Sequence, residues 1–212
     1  MIIECDNCGT RLKVDEDRIH PQGSKVRCSN CSRIFTVRKP MESEEDIAFR
    51  NTLFGAKKSR AKTLALSNQK GGVAKTTTCL NLGVSLSLLK KRVLLIDFDV
   101  QASLSSCLGF QNADSFFNAI VYGDRRIVRA VRKTRYPNLW LLPSNKNMVM
   151  LNKNYFGSKN YEYVLKEKLK SVIRDFDFIL IDTPPSMEFY TLNALTASDL
   201  VIIPSSCEYL ST

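Results

Sequence analysis

The chain has 212 residues, 44% of them hydrophobic and 25% charged, which excludes a wholly disordered protein and suits one medium α/β domain with a small appendage. It has no apolar run of about 18 residues and no basic-then-apolar start, so neither a membrane-spanning helix nor a secretory leader is read, and residence in the cytoplasm is expected. Thirty-one Lys+Arg against 21 Asp+Glu give a net charge of +10, which favours a polyanion partner, nucleic acid first, without separating that from a merely basic surface.

Residues 1–38 hold four of the seven cysteines, as Cys5-x2-Cys8 and Cys28-x2-Cys31. Two such pairs at this separation fit a tetrahedral four-thiolate zinc site, each pair on a tight turn, with Gly9 where the first must bend. A disulfide reading needs an oxidising compartment that nothing in the sequence indicates. So small a unit buries too little apolar surface to fold unaided; the zinc is therefore expected to be structural, and four thiolates leave no open coordination position. The segment resembles the zinc-ribbon module found at the N-termini of various bacterial proteins. Residues 2–38 carry that likeness through Ile3-x-Cys5-x2-Cys8, Leu12 and Val14, Gly23-x-Lys25-Val26-Arg27-Cys28-x2-Cys31, Phe35 and Val37. Arg11, Lys13, Lys25, Arg27 and Arg33 leave two readings of its surface, a nucleic-acid or protein contact and a folded knob without a partner. His20, the single histidine, is expected at the surface.

Residues 39–62 read as a charged linker, Glu42-Ser43-Glu44-Glu45-Asp46 and then Lys57-Lys58-Ser59-Arg60-Ala61-Lys62, solvated and carrying one short helix around 47–54. From residue 63 to 212, apolar runs alternate with helical patterns. Strands are predicted at Thr63–Ser67, Arg92–Phe98, Asn138–Pro143, Phe176–Asp182 and Leu200–Pro204, the later four as runs buried on both faces. A largely buried helix is predicted at Thr76–Leu89, with others at Phe116–Lys133, Tyr161–Arg174 and Met187–Ala197. Such alternation implies βαβ crossovers and a sheet covered on both faces.

Between the first of these strands and the first helix lies Lys70-Gly71-Gly72-Val73-Ala74-Lys75-Thr76-Thr77. The generic phosphate-loop expression fails here, because its two glycine positions hold Gln69 and Ala74. The segment resembles instead the deviant phosphate loop, Lys-Gly-Gly-x-x-Lys-Thr-Thr, of the ParA/MinD family of dimeric ATPases. That likeness extends over residues 63–210, in Asp97-Phe98-Asp99-Val100-Gln101, in Asp182-Thr183-Pro184-Pro185-Ser186, and in the ParA-like stretches Thr191–Asp199 and Val201–Tyr209. It implies a P-loop NTPase fold, a mostly parallel sheet with helices on both faces, behind the small β-rich ribbon.

The resemblance also implies roles. Residues 71–77 would cradle ATP through backbone N–H groups and the helix N-terminus. Lys75 would hold the β- and γ-phosphates, Thr76 would ligate Mg²⁺, and Thr77 would bond the α-phosphate. Asp99 would position or activate the attacking water, Asp97 would lie near Mg²⁺, and Asp182 would reach it through water. Lys70 would cross to the ATP of a second copy. The implied function is an ATP-hydrolysing protein that positions DNA or other cargo as an ATP-dependent homodimer, associated with the nucleoid through non-specific DNA and stimulated by a ParB-like protein. Arg125, Arg126, Arg129, Arg132, Lys133 and Arg135 read either as part of a DNA-binding face or as a solvated helix face.

Departures from the family pattern are Ala74 and Ala102 where glycines are usual, Val100 for proline and Ser103 for asparagine. An alanine at 74 is expected to require a negative φ. Family members continue past the Cys-Glu-Tyr segment, so the resemblance implies a C-terminally truncated sheet. MinD-like membrane positioning is disfavoured, because no C-terminal basic amphipathic helix is present. The iron–sulfur relatives need differently placed cysteines, and the tyrosine-kinase relatives a C-terminal tyrosine cluster. A non-enzymatic zinc-ribbon adaptor, or a remnant ATPase, is the alternative.

Overall fold

The computed structural model describes residues 2–14, 18–20, 22–38, 44–54, 59–111, 113–121, 127–155 and 159–207. The chain divides into two compact units, Met1–Phe49 and Arg50–Thr212.

In the first unit, β1 (Ile2–Glu4) pairs antiparallel with β2 (Arg11–Lys13), and β3 (Ser24–Arg27) with β4 (Ile34–Val37). Each Cys-x2-Cys is the turn of one hairpin, and the two turns repeat the same bonds. The amide of Gly9 donates to the Cys5 carbonyl and that of Ser32 to the Cys28 carbonyl, both at 3.0 Å. Both turns end on a left-handed residue, Gly9 at φ 66° and Ser32 at φ 59°. Among the described residues, Ile3, Ile19 and Val37 form the buried core, with Leu12, Val14, Val26 and Phe35 packed around them. So thin a core needs a further staple.

A helix, α1 (Glu44–Phe54), lies where the charge pattern suggests a tether with one short helix. The charge pattern does not foresee that the last turn of α1 belongs to the second unit's core. Arg50 donates through Nη2 to the Ser171 carbonyl (2.7 Å) and faces Asp175, with both side chains buried. Phe54 packs edge-on against Phe176 and Trp140, at 5.0 and 5.7 Å between ring centres.

The second unit is built on one six-stranded sheet. Its strands are β5 (Lys62–Leu66), β6 (Val93–Asp97), β7 (Arg132–Lys133), β8 (Leu139–Leu142), β9 (Phe178–Asp182) and β10 (Leu200–Ile202), in the spatial order β10-β5-β9-β6-β8-β7. All pairings are parallel except β7 with β8. All five residues of β6 and all four of β8 are buried, as expected for strands covered on both sides. The period of two sends Leu94 and Ile96 into one core and Val93 and Leu95 into the other.

The helix α2 (Lys75–Leu88) covers the second of these faces. The first face carries α8 (Phe189–Ala197), α7 (Val164–Leu169), α6 (Val149–Tyr155), α4 (Phe116–Val121) and α5 (Ile127–Ala130). The short α3 (Ser103–Cys107) follows the turn after β6.

Four predicted elements differ in form. The helix α2 is not largely buried: Cys79, Gly83 and Ser87, four apart, face the sheet, while Leu88 and Leu89 are exposed. Small residues on the contact stripe bring the helix so close that its leucines lie along the flanks. The predicted helix Phe116–Lys133 is broken, because Arg132 and Lys133 pair with β8 as an edge strand. Its middle falls outside the described residues, Arg125 and Arg126 with it. The helix predicted over Tyr161–Arg174 holds regular α geometry only as α7, preceded by a 3-10 turn over Tyr161–Tyr163. The sequence predicts a strand buried on both faces at Leu200–Pro204; β10 is instead an edge strand with Leu200 and Val201 exposed.

Candidate functional site

Register places the site. Leu66 of β5 lies beside Asp182 of β9, and Asp97 of β6 lies on the other side of Asp182. Three parallel strands thus end level, two of them on a carboxylate, at the edge where ligands bind in sheets of this kind. Thr183 ties two of these ends by donating to the Leu66 carbonyl at 2.7 Å, and the Phe98 amide donates to the Asp182 carbonyl at 3.0 Å.

The loop after β5 is held from its entry side. Asn68 donates to the Pro204 carbonyl (2.8 Å) and accepts from the Lys70 amide (2.9 Å). Gly72 sits at φ 76°, and a Cβ built on Gly71 or Gly72 would meet nothing within 4 Å. The glycines therefore line open space and let a ligand approach the backbone closely. Lys75 is buried and folds back so that Nζ donates to the Lys70 carbonyl at 3.0 Å. Burial lowers its affinity for the proton, which Asp182 and Asp99 oppose.

Ala74 is the N-cap of α2, at φ 61° and ψ 30°. This overturns the expectation of a negative φ: the loop forces the left-handed conformation usually filled by glycine, at a cost of roughly 1–2 kcal/mol. Ala74 offers no side-chain cap, and the first turn of α2 has no acidic residue. The first-turn amides of this 14-residue helix thus have no capping side chain, an arrangement that suits an anion.

The carboxylates have unequal surroundings. Asp97 is fully buried; its Oδ2 accepts from the Ser105 amide and hydroxyl, both at 2.7 Å, and its Oδ1 from the Asp99 amide at 3.3 Å. Burial raises its carboxyl to about 6 against those bonds. Asp182 is equally buried, yet neither carboxylate oxygen has a well-formed hydrogen bond, with the Thr76 hydroxyl only weakly placed toward it. Burial pushes it up to about 7, with Asp97 and Asp99 adding to the rise and the Thr76 hydroxyl and Lys75 opposing it. A buried carboxylate without well-formed hydrogen bonds is costly unless a cation satisfies it. Asp99 is half-buried in a turn closed by Ala102, a second alanine in the left-handed region at φ 52°. Its Oδ1 accepts from the Gln101 amide at 2.9 Å. Beside this turn lies an open groove of ≈ 500 Å³, lined among others by Gln101, Gln111, Ser144 and Lys146.

The structure thus brings Lys75, Thr76, Asp97, Asp99 and Asp182 to one edge of the sheet, with Lys70, Gly71, Gly72, Val73 and Ala74 curling over it. Val73 is buried beneath the loop, and Thr77 is exposed on the first turn of α2. Thr183, inside the motif that begins at Asp182, also shapes the site, as do Ser105, Ser144 and Asn68, which sequence reasoning misses because no local period links them to the motifs.

In the first unit, the Cys5, Cys8, Cys28 and Cys31 sulfurs lie within 4.8 Å of one another, with Cys5–Cys31 and Cys8–Cys28 at 3.6 Å. Sulfurs bound at about 2.3 Å around a tetrahedral zinc stand roughly 3.8 Å apart, so the four fit that ion. The Thr10 hydroxyl and amide lower the Cys8 thiol toward its thiolate form. His20 is exposed, as expected.

A strand, a glycine loop and a helix, facing two strand-end carboxylates, define a P-loop nucleotide-binding fold. The chain matches the AAA-domain family over residues 61–212 and belongs to it; residues 1–36 match a zinc-ribbon domain. It is 41% identical over 150 residues to the sporulation initiation inhibitor protein Soj of Bacillus subtilis, covering 70% of this chain and 59% of that protein. To the chromosome-partitioning ATPase Soj of Treponema pallidum it is 40% identical, over 71% of this chain and 59% of the relative. Among solved structures, cobyrinic acid a,c-diamide synthase from Mycobacterium smegmatis with bound ATP analogue and magnesium superposes with a TM-score of 0.67. That match is 38% identical and covers 72% of this chain and 63% of the other. The chain therefore spans about three fifths of the length of the relatives it matches.

Proposed function

We propose that the second unit binds ATP with Mg²⁺ and hydrolyses it, in a ParA-type protein that positions DNA or another large cargo. The observation that carries this reading is the pair of buried Asp182 oxygens, without a well-formed hydrogen bond, beside the uncapped start of α2 and its open glycine loop. An anion suits the helix start and a cation the carboxylate; a nucleotide with its metal supplies both. The reading is supported by a Soj relative named a chromosome-partitioning ATPase and by a similar structure holding an ATP analogue and magnesium.

In this reading the amides of residues 71–77 bind the phosphates, and Lys75 leaves the Lys70 carbonyl for the β- and γ-phosphates. Thr76 and Asp182 are the residues that would hold Mg²⁺, with Asp97 behind them already committed to Ser105 and Asp99. A metal held there would supply neutralisation of phosphate charge during phosphoryl transfer. Asp99, fixed through Oδ1, keeps its second oxygen for orienting a water. Lys70 then serves the ATP of a second copy, so turnover requires a homodimer. Non-specific DNA and a ParB-like stimulating protein are the partners proposed, and the ribbon holds a structural zinc.

The test is steady-state ATP turnover with magnesium, with and without DNA, for the wild type and Lys75→Ala. Turnover in the wild type, reduced at least about 100-fold in Lys75→Ala, is expected. Equal background rates would defeat the enzyme reading in favour of the non-enzymatic adaptor.

A further inference from the structure

The loop after β6 carries the carboxylate proposed to orient water, and its own turn closes through the Ala102 amide to the Asp99 carbonyl and the Gln101 amide to Asp99 Oδ1. A buried chain of hydrogen bonds also holds it from the side. The Ser105 hydroxyl donates to Asp97 Oδ2 at 2.7 Å and accepts from the Ser144 amide at 2.9 Å. The Ser144 hydroxyl then donates to the carbonyl of Asp99 at 2.5 Å. Ser105 and Ser144 are both fully buried, and they come from different segments: Ser105 from α3, Ser144 from the loop just after β8. One hydroxyl therefore bridges the end of β6, the start of α3 and the loop after β8, and a second adds to the bonds on the backbone of Asp99.

We infer that Ser105 and Ser144 are positioning residues of the proposed ATPase reaction, fixing where Asp99 stands relative to the phosphate loop. The inference rests on the ATPase reading. Neither hydroxyl belongs to the loop 70–77 or is needed to hold phosphate, so their loss acts on turnover and not on nucleotide affinity. The reason is geometric. The phosphate loop hangs between β5 and α2 and is tied by Asn68, whereas Asp99 hangs between β6 and α3 and is tied through Ser144. A displacement of about 1 Å at a reacting group is enough to slow a reaction roughly 100-fold. In a buried network every member left without its partner adds to the disturbance.

The experiment compares the wild-type chain, Ser105→Ala, Ser144→Ala, the double variant and Ser105→Thr. Three quantities are read: affinity for a non-hydrolysable ATP analogue with magnesium, kcat and KM for ATP, and the melting temperature. The expected result is analogue affinity and KM within about two-fold of wild type, with kcat lowered about 10- to 100-fold in each alanine variant. The double variant should be no worse than the poorer single one, since both act through one chain of bonds. Ser105→Thr, which keeps the hydroxyl, should recover most of the rate. If Ser105→Ala melts below the assay temperature, Ser144→Ala, which keeps the Ser105–Asp97 pair, decides alone. Wild-type turnover matched by both alanine variants overturns the inference and leaves the ATPase reading standing. Affinity falling in parallel with kcat also overturns it, and absence of turnover in the wild type removes the ATPase reading and the inference together.

Discussion

At residue scale the site carries two alanines in the left-handed region, Ala74 at φ 61° and Ala102 at φ 52°. Both stand at the N-cap of a helix, α2 and α3, and neither side chain caps it. The backbone conformation is imposed by the loop and so persists when the residue is not glycine, at the expense of stability. Ala74→Gly and Ala102→Gly should each stabilise the protein by about 0.5–1 kcal/mol, the left-handed penalty less the added entropy of an unfolded glycine. Urea midpoints measure this, and a drop in either variant would mean that the alanine side chain contributes more than its backbone costs. The sequence showed that these positions depart from the family pattern. It did not show which way the backbone turns, because the surrounding loop fixes φ.

At element scale, α2 and β10 differ most from their sequence reading. A Cβ on Gly83 of α2 would come within 2.6 Å of Leu95 Cδ2 and 3.5 Å of Leu139 Cδ1, both on buried side chains of the sheet. Gly83→Val should therefore destabilise the fold by roughly 1–3 kcal/mol through overpacking, read as a lower urea midpoint with an unchanged slope. A leucine-rich helix suggests a leucine-lined contact, but close approach to the sheet selected the small stripe.

The entry to β10 is held by Asp199, which accepts from the Thr63 amide at 2.9 Å and from Arg60 at 2.8 Å. Burial alone would raise its carboxyl, but the Thr63 amide, Arg60 and Lys62 together hold it below the usual range. A depressed carboxyl stabilises the fold fully above the unfolded value of about 4, and that contribution is lost as pH falls through the lower folded value. Wild type should thus exceed Asp199→Asn in stability at pH 6, and the gap should narrow steadily below about pH 4. A gap independent of pH would remove the electrostatic explanation.

At the scale of the whole molecule, the two units rest on different sources of stability. The described residues of the ribbon form a small core around Ile3, Ile19 and Val37 beside four clustered thiols, whereas the second unit has two extensive apolar clusters, one on each face of its sheet. A zinc-selective chelator, with magnesium kept in excess, should therefore expose four titratable thiols and unfold the ribbon. Binding of the ATP analogue by the second unit should stay within about two-fold, since that unit has a core of its own. Loss of nucleotide binding on chelation would show that the units are not independent.

The sequence by itself determined the chemistry-bearing groups, namely the cysteine pairs, the Lys-Gly-Gly loop and the aspartates at strand ends. These are local patterns whose spacing along the chain is itself the physical requirement. Tertiary structure alone decided that Asp97 is already satisfied by Ser105 while Asp182 is not, and that Arg50 and Phe54 leave a charged stretch to enter the core. It also decided that Arg132 and Lys133 pair as an edge strand and that Ser144 holds the carbonyl of Asp99. Each of these depends on groups brought together from distant parts of the chain, through contacts that no periodicity within one segment encodes.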